Sequence, residues 1–531
     1  MVTCAASSCC CRKPGRVQSR PGGEPTRLDR AGHRARLLAG FAVLCLAAVA
    51  CGGHPAPAPG GSAAPEKSPV IRSCAVDGLR ARCGTLTVPQ DRVTGQGPTI
   101  PVRFVVIPAT GPDKAPDPVV YFAGGPGNSA VTMISSELDV IANLASHRDL
   151  VFIEQRGTGS SDQLTCPSFP TALAGQAALR ASVESCLAGI RSDLPFYTTA
   201  MYADDVNQLL GDLHYATVNL MGISYGTVAE QVFLLRHPGR VRTMTLQSGF
   251  PLYIRPLERA PEDAQLALDY VVARCDDDAA CRRAFPHLAA DWAALWASAG
   301  TSPGVLPVSQ SPTGTTVRLD QNTLAFWIYQ ALFAGDEQLV PALISTLATA
   351  TDKATALISV IRTLQASDLP VTPGGYPTEM MQYAIYCGES WATQSPAALS
   401  AQRDSFAYQM YAQQAQWFGY VCPLIPKAAA ALGDEQLTLS HVPVLAFNGA
   451  GDPIAPARNM AGVQRFWPDF REIVLPGQGH NVIPASWGRC GGPLTETFIE
   501  QASVAHLNTS CLAGTPAPPF VFNLTGVAGA G

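Results

Sequence analysis

The chain has 531 residues, 47% apolar and 15% charged, which excludes a disordered chain and permits a large core, as one enlarged α/β domain with an insertion or as two domains. Net charge is −5, yet residues 1–50 hold eight Lys/Arg against two Asp/Glu, so residues 51–531 carry −11 once that +6 is set aside. A basic nucleic-acid surface is thereby excluded.

The N-terminus accounts for the asymmetry. Arg27, Arg30, Arg34 and Arg36 precede the apolar run LLAGFAVLCLAAVA, residues 37–50. That run is short for a bilayer span and suits the core of a signal peptide. It ends in A-V-A-C, which leaves two processing routes open. Ala48 and Ala50 fit an A-x-A cleavage site; Cys51 fits a lipobox whose cysteine is lipidated and becomes the first residue. Ala48 stands where a lipobox more often has Leu. The lipoprotein is the preferred reading, because a tether over 51–69, GGHPAPAPGGSAAPEKSP after Cys51, follows at once. Membrane contact is expected only through that anchor. From the long Arg-rich leader (residues 1–50), the true start is expected downstream of Met1.

Ten cysteines follow Cys51 in sequence-near couples: Cys74 with Cys83, Cys166 with Cys186, Cys275 with Cys281, Cys387 with Cys422, and Cys490 with Cys511. An even count in an exported chain reads as disulfides. Sequence does not set connectivity, so pairing between neighbours is an expectation only. No C-x-x-C or Cys/His cluster occurs, so no metal site is expected.

Ordered sequence is expected from about Val70. CGTLTVPQDR and TIPVRFVVIPA read as strands, and DPVVYFAGGPG as an apolar strand breaking into a glycine loop. HRDLVFIEQRGTGSSD repeats that design, with its strand over 150–154. MYADDVNQLLGDLHY has helical spacing, with Asp204 and Asp205 expected near the start, where the helix dipole favours acids. ATVNLMGISYGTVAEQVFLLRHP reads as strand, tight turn and helix, and VRTMTLQSGF as the next strand. Residues 251–435 change to long Ala/Leu/Gln-rich helical stretches, such as 339–350. VPVLAFNGAGDP and REIVLPGQGHN resume the strand-and-loop rhythm. The expected architecture is α/β: a mostly parallel sheet in two parts, 70–250 and 436–531, interrupted by a helical cap over 251–435.

G-I-S-Y-G around Ser224 has the spacing of a nucleophile elbow at a strand-to-helix junction. The turn is sharp, so side chains at positions 222 and 226 would collide with their neighbours. A base and an acid should follow in the order Ser, Asp, His. Asp452 in FNGAGDPIAP and His480 in LPGQGHN both come directly after predicted strands. His480 would take the Ser224 proton and return it to the leaving group, while Asp452 would orient the imidazole. Two backbone N–H groups must face the developing negative charge. Tyr225 supplies one in this reading, and the AGGPG loop, residues 123–127, the other, from Gly125 with Gly124 as alternate.

YFAGGPG, VFIEQRGTGSSD, GISYGT, GAGDPIAP and GQGH together resemble the proline iminopeptidase branch of α/β-hydrolases. The ending GRCGGPLTETFIEQASVAHLNTSCLAG resembles the C-terminal region of secreted tripeptidyl aminopeptidases. The resemblance covers roughly residues 70–515. It implies an α/β-hydrolase fold with an inserted helical cap, and an exported serine exopeptidase that removes short pieces from peptide N-termini without metal or organic cofactor. Two departures stand out: Ala123 where the intracellular prolyl enzymes usually have His, and Gln247–Ser248 where secreted relatives often show Asp-Gly. An aminopeptidase must also hold a free α-ammonium, which carboxylates do well. The family draws such acids from the cap, which makes Glu389 a candidate, with Glu230 on the helix after the nucleophile as a second. Each also reads as an ordinary solvated acid, and Trp391 as a pocket wall or as cap packing. A carboxylesterase with the same triad is the rival enzyme; a binding lipoprotein on an inactive hydrolase scaffold is the rival outside catalysis.

Overall fold

Alternating sequence builds one edge of the sheet and continuous apolar runs build its centre. β1 (Val70–Val76), β2 (Leu79–Pro89) and β3 (Thr99–Ile107) are antiparallel neighbours. Inward positions of β2, such as Leu86 and Val88, are buried between exposed ones. β4 (Val119–Phe122), β5 (Leu150–Ile153), β6 (Val218–Ile223), β7 (Val241–Gln247), β10 (Val444–Gly449) and β11 (Phe470–Leu475) form the parallel remainder. VVYF in β4 and LVFI in β5 are buried at every position, as strands covered on both faces must be. The nine strands run in the order β1-β2-β3-β5-β4-β6-β7-β10-β11.

The computed structural model describes residues 68–524 except 77, 167–175, 302–303, 307–316, 367–378, 390–394, 430–435 and 481–486. The leader, Cys51, the tether up to residue 67 and Trp391 lie outside the described residues. No helix among the described residues is long and apolar enough to cross a membrane.

Helices α1 (Ile134–Ile141), α2 (Gln176–Gly189), α3 (Thr199–Asp212) and α4 (Tyr225–Arg236) fall between strands of the first part. Between β7 and β10 the chain leaves the sheet for α5 (Pro256–Asp277), α6 (Ala279–Ala284), α7 (Leu288–Thr301), α8 (Gln321–Ala334), α9 (Val340–Thr349), α10 (Lys353–Ala366), α11 (Glu379–Gly388), α12 (Pro396–Ser400) and α13 (Tyr408–Val421). The insertion also holds a small antiparallel ribbon, β8 (Gly304–Leu306) with β9 (Val317–Leu319), which its Ala/Leu-rich composition did not announce. Sheet and insertion belong to one unit, residues 63–531.

All five neighbouring cysteine couples are joined as disulfides. Cys74 is bonded to Cys83, Cys166 to Cys186, Cys275 to Cys281, Cys387 to Cys422, and Cys490 to Cys511. Cys186 lies on α2, and Cys281 on α6 ties that short helix back to the end of α5. Cys511 holds the segment after the last strand against Cys490, which is fully buried.

Two further differences have physical causes. β1 carries no apolar run because it is an exposed edge strand, held by pairing with β2 and by the bond from Cys74 to Cys83. Asp204 and Asp205 do not start α3: the helix begins at Thr199, capped by the Thr198 side chain, and the two acids fall in its second turn. Asp205 is buried against Arg156 at 2.7 Å, and Asp204 pairs with Arg236 at 2.6 Å. The carboxylate at the start of α3 comes instead from the insertion, as Glu389.

Candidate active site

β6 passes into α4 through Ser224 alone, which holds φ 54° and ψ −122°. An L-residue tolerates that geometry only where its surroundings enforce it. A Cβ at Gly226 would lie 2.0 Å from the Phe122 carbonyl oxygen, and one at Gly222 would lie 2.6 Å from the Gly226 backbone. The strand therefore turns sharply into the helix only with glycine at both positions. The Ser224 N–H donates to the Gln247 carbonyl at 2.9 Å, tying the elbow to the end of β7.

Ser224 Oγ lies 2.9 Å from His480 Nε2. His480 Nδ1 lies 2.9 Å and 3.1 Å from the two oxygens of Asp452. Asp452 is 1% exposed, and its Oδ1 also accepts the Ile454 and Ala455 N–H groups at 2.9 and 2.8 Å. An ionised carboxylate only accepts, so the proton sits on Nδ1 and Nε2 is free to receive the serine proton. Ser224 follows β6, Asp452 follows β10 and His480 follows β11, so all three gather at the C-terminal ends of parallel strands. The departure at Ser248 has a place here: its hydroxyl donates to the His480 carbonyl.

Tyr225 is the first residue of α4, which puts its N–H at the helix N-terminus directly after Ser224. Gly125 holds φ +111°, open to glycine, and borders the same cavity as Ser224, Tyr225 and His480. The neighbouring Gly124 packs on Ser224 itself, where a Cβ would lie 3.3 Å from that of the serine. The loop is held from behind: Glu154, just past β5, accepts from Ser129 Oγ at 2.5 Å, Ser161 Oγ at 2.7 Å and the Ser160 N–H at 2.9 Å. Burial raises the Glu154 pKa against the lowering effect of these three bonds. The sequence reading missed Glu154. Its signal was an acid at the end of an apolar strand, followed by GTGSS, whose small residues leave room for a carboxylate.

A family model described as the alpha/beta hydrolase fold matches residues 117–484, from just before β4 to just past His480. The chain belongs to the α/β-hydrolase family. Its curated relatives include a tripeptidyl aminopeptidase of Streptomyces coelicolor, 29% identical over 187 residues, and one of Streptomyces lividans, 28% identical over the same length. Each match covers 32% of this chain and 35% of the relative, about a third of either protein. Similar solved structures include a serine hydrolase from Cycloclasticus zankles, at 13% identity and TM-score 0.35 over 79% of this chain and 98% of that one. A proline iminopeptidase of Mycobacterium smegmatis matches at 14% identity and TM-score 0.34, over 79% of this chain and 99% of that one.

In this α/β-hydrolase the insertion roofs the serine with a cavity of about 440 Å³. Phe326 and Tyr329 of α8, Tyr383 and Tyr386 of α11, and Trp417 and Phe418 of α13 give the wall aromatic rings. Each of these helices also contributes a carboxamide, Gln330, Gln382 and Gln414. Among the described residues no Asp or Glu lines the cavity. The two acids proposed from sequence as ammonium ligands are placed elsewhere. Glu389 is 0% exposed and spends both carboxylate oxygens on Thr199, at 2.6 Å to its N–H and 2.9 Å to its hydroxyl. Glu230 is also 0% exposed, and neither oxygen has a partner among the described residues. Burial pushes its pKa well above the usual carboxylate range; the Gly222 backbone works in the opposite direction without reaching hydrogen-bond geometry. Its helix is buried on nearly every side, and that burial favours the uncharged form of the acid. Away from the site, His147, Glu496 and Glu500 bring ligand atoms within 4.8 Å of one another, with no second feature that points to an ion.

Proposed function

We propose that the chain is an exported serine peptidase that releases short pieces from peptide N-termini through an acyl-enzyme on Ser224. The observation that carries this reading is the hydrogen-bonded series Ser224–His480–Asp452, 2.9 Å at each step, beneath a roofed cavity. Ser224 Oγ attacks the carbonyl as its proton passes to His480 Nε2; Asp452 steadies the imidazolium. The Tyr225 and Gly125 N–H groups receive the oxyanion. His480 then protonates the leaving amine, and water repeats the sequence to free the acid. The aminopeptidase assignment draws on the partial relatives named above. The roof restricts access, which favours peptides over folded proteins. Export draws on the leader and on five disulfides, bonds that persist in oxidising compartments; anchoring through Cys51 is part of the same proposal.

A second reading, carboxylesterase, is favoured by one feature. The described wall offers rings and carboxamides rather than carboxylates to whatever enters. The test uses purified protein on a mixed peptide library, read by mass spectrometry, beside p-nitrophenyl esters and a fluorophosphonate probe. N-terminal di- or tripeptides among the products support the peptidase. Turnover of esters with no peptide cleaved makes the protein an esterase. Absence of any adduct on Ser224 in folded protein removes the acyl-enzyme altogether and leaves a binding protein on a hydrolase scaffold.

A further inference from the structure

Glu389 does not touch the cavity, yet its position is tightly prescribed. Its N–H donates to the Ile385 carbonyl at 2.9 Å, so it continues the backbone ladder of α11. That helix carries Gln382, Tyr383 and Tyr386 on the cavity wall and is joined to the end of α13 through the Cys387–Cys422 disulfide. Beyond the wall, the Glu389 carboxylate reaches the first residue of α3, where N–H groups lack helical partners and negative charge is favoured.

The bonds beyond Glu389 have a determined direction. The Thr199 hydroxyl donates to the Glu389 carboxyl oxygen at 2.9 Å, and that uses its single proton. Thr199 Oγ1 must then accept from Tyr225 Oη, 2.7 Å away. Tyr225 Oη in turn accepts from Gln155 Nε2 at 2.8 Å. The result is a one-way chain: Gln155 to Tyr225, Tyr225 to Thr199, Thr199 to Glu389. All four residues are buried. Tyr225 follows the nucleophile and opens α4.

We propose that Glu389 is a positioning residue for acyl transfer, a group of the roof that holds Tyr225, and with it the backbone N–H facing the oxyanion, through Thr199. This rests on the acyl-enzyme reading above. It assigns Glu389 to the reacting end of the substrate and not to its ammonium. Glu389→Gln places an NH₂ against one of the two Thr199 donors, so the chain loses its fixed direction. Tyr225→Phe removes the middle link and keeps the ring.

The experiment measures kcat and KM for wild type, E389Q, Y225F and the double variant, on a neutral p-nitrophenyl ester and on a peptide p-nitroanilide with a free N-terminus. Fluorophosphonate titration of Ser224 is run first on the wild type. The expected result is a fall in kcat of about tenfold for both substrates in each single variant, below the ~10²–10³-fold cost of deleting an oxyanion donor outright. KM stays within about twofold, and the double variant is no worse than the singles, because both changes cut one chain. A labelled wild type with variants of equal kcat overturns the inference alone. A rise in KM confined to the free-ammonium peptide also overturns it and returns Glu389 to ammonium binding. A wild type that takes no label overturns the acyl-enzyme reading instead. Should E389Q fail to fold, Y225F decides: unchanged kcat in that variant overturns the proposal.

Discussion

The imidazole of His480 stacks on the ring of Phe333, with centroids 4.7 Å apart and planes 27° apart. The His480 N–H also donates to the Phe333 carbonyl at 3.1 Å. A residue of the roof therefore sets the orientation of the base. Phe333→Leu keeps apolar bulk and loses the flat surface. We expect kcat to fall about tenfold, roughly 1.4 kcal/mol of transition-state stabilisation, with KM changed far less. Steady-state kinetics on a small ester, whose own contact with the roof is slight, checks this.

Asp452→Asn should leave the fold intact and reduce kcat by about 10³–10⁴-fold, because an amide can present its NH₂ to Nδ1 and favour the wrong tautomer. The Ile454 and Ala455 N–H groups restrict which way the amide turns, since they require an acceptor on their side. The rate of Ser224 phosphonylation, measured beside circular dichroism, separates lost chemistry from lost structure. A variant that labels at the wild-type rate would falsify the role given to Asp452.

Glu154→Gln weakens the hold on the oxyanion loop. One oxygen must still serve Ser160 and Ser161, and the NH₂ then faces Ser129. The expected loss is about tenfold in kcat, less than the cost of deleting an oxyanion donor outright. Ester kinetics and thermal melting test it together; a lowered melting temperature with full kcat would make Glu154 purely structural.

Glu230 predicts a pH dependence of stability. Its folded pKa is raised above its unfolded value, so the folded state binds the extra proton. Its stabilising contribution is complete below the ordinary glutamate pKa and is lost as pH rises from there towards the folded value. Glu230→Gln mimics the neutral acid and removes that loss. Melting temperatures from pH 5 to 9 should therefore decline more steeply for wild type than for E230Q, while kcat at neutral pH stays equal. Parallel curves would mean that Glu230 keeps its ordinary pKa.

The bond from Cys387 to Cys422 closes 35 residues and joins two helices of the cavity wall. Replacing both by Ser should cost about 2–4 kcal/mol of stability. KM should rise more than kcat falls, because α11 and α13 carry the wall. Ellman titration of the unfolded wild-type protein should find none of the ten paired cysteines free; ten reactive thiols would remove the main structural support for export.

How far the sequence carried depends on where each feature is encoded. Ser224, Asp452 and His480 were legible because each sits in a local signature, a strand followed by a glycine turn, and the three appear in the required order. The cysteine couples were legible because partners are close along the chain: Cys281 follows Cys275 by 6 residues, and Cys186 and Cys511 follow theirs by 20 and 21. Phe333 and Glu389 were not. Phe333 belongs to an apolar helix in which nothing marks one ring as the neighbour of a base. Glu389 follows a helix that mixes apolar, aromatic and polar residues, so solvent, cavity and core were all open to it. Only the path of the insertion decides that it meets Thr199, 190 residues earlier. Glu230 was misplaced for the opposite reason: a short helix next to the nucleophile invites a functional reading, while its burial depends on layers above and below the sheet.

The roof leaves the sheet after Gln247 and the chain returns at Val444, on strands that are direct neighbours. One uninterrupted excursion thus enters and exits through adjacent doors. Recombination between related genes could exchange that stretch without disturbing a single strand pairing. Contacts between roof and sheet limit such exchange, among them Phe333 on His480 and Glu389 on Thr199. A transplanted roof that preserved both would bring new substrates to an unchanged serine; one that dropped either would arrive with its selectivity intact and its turnover impaired.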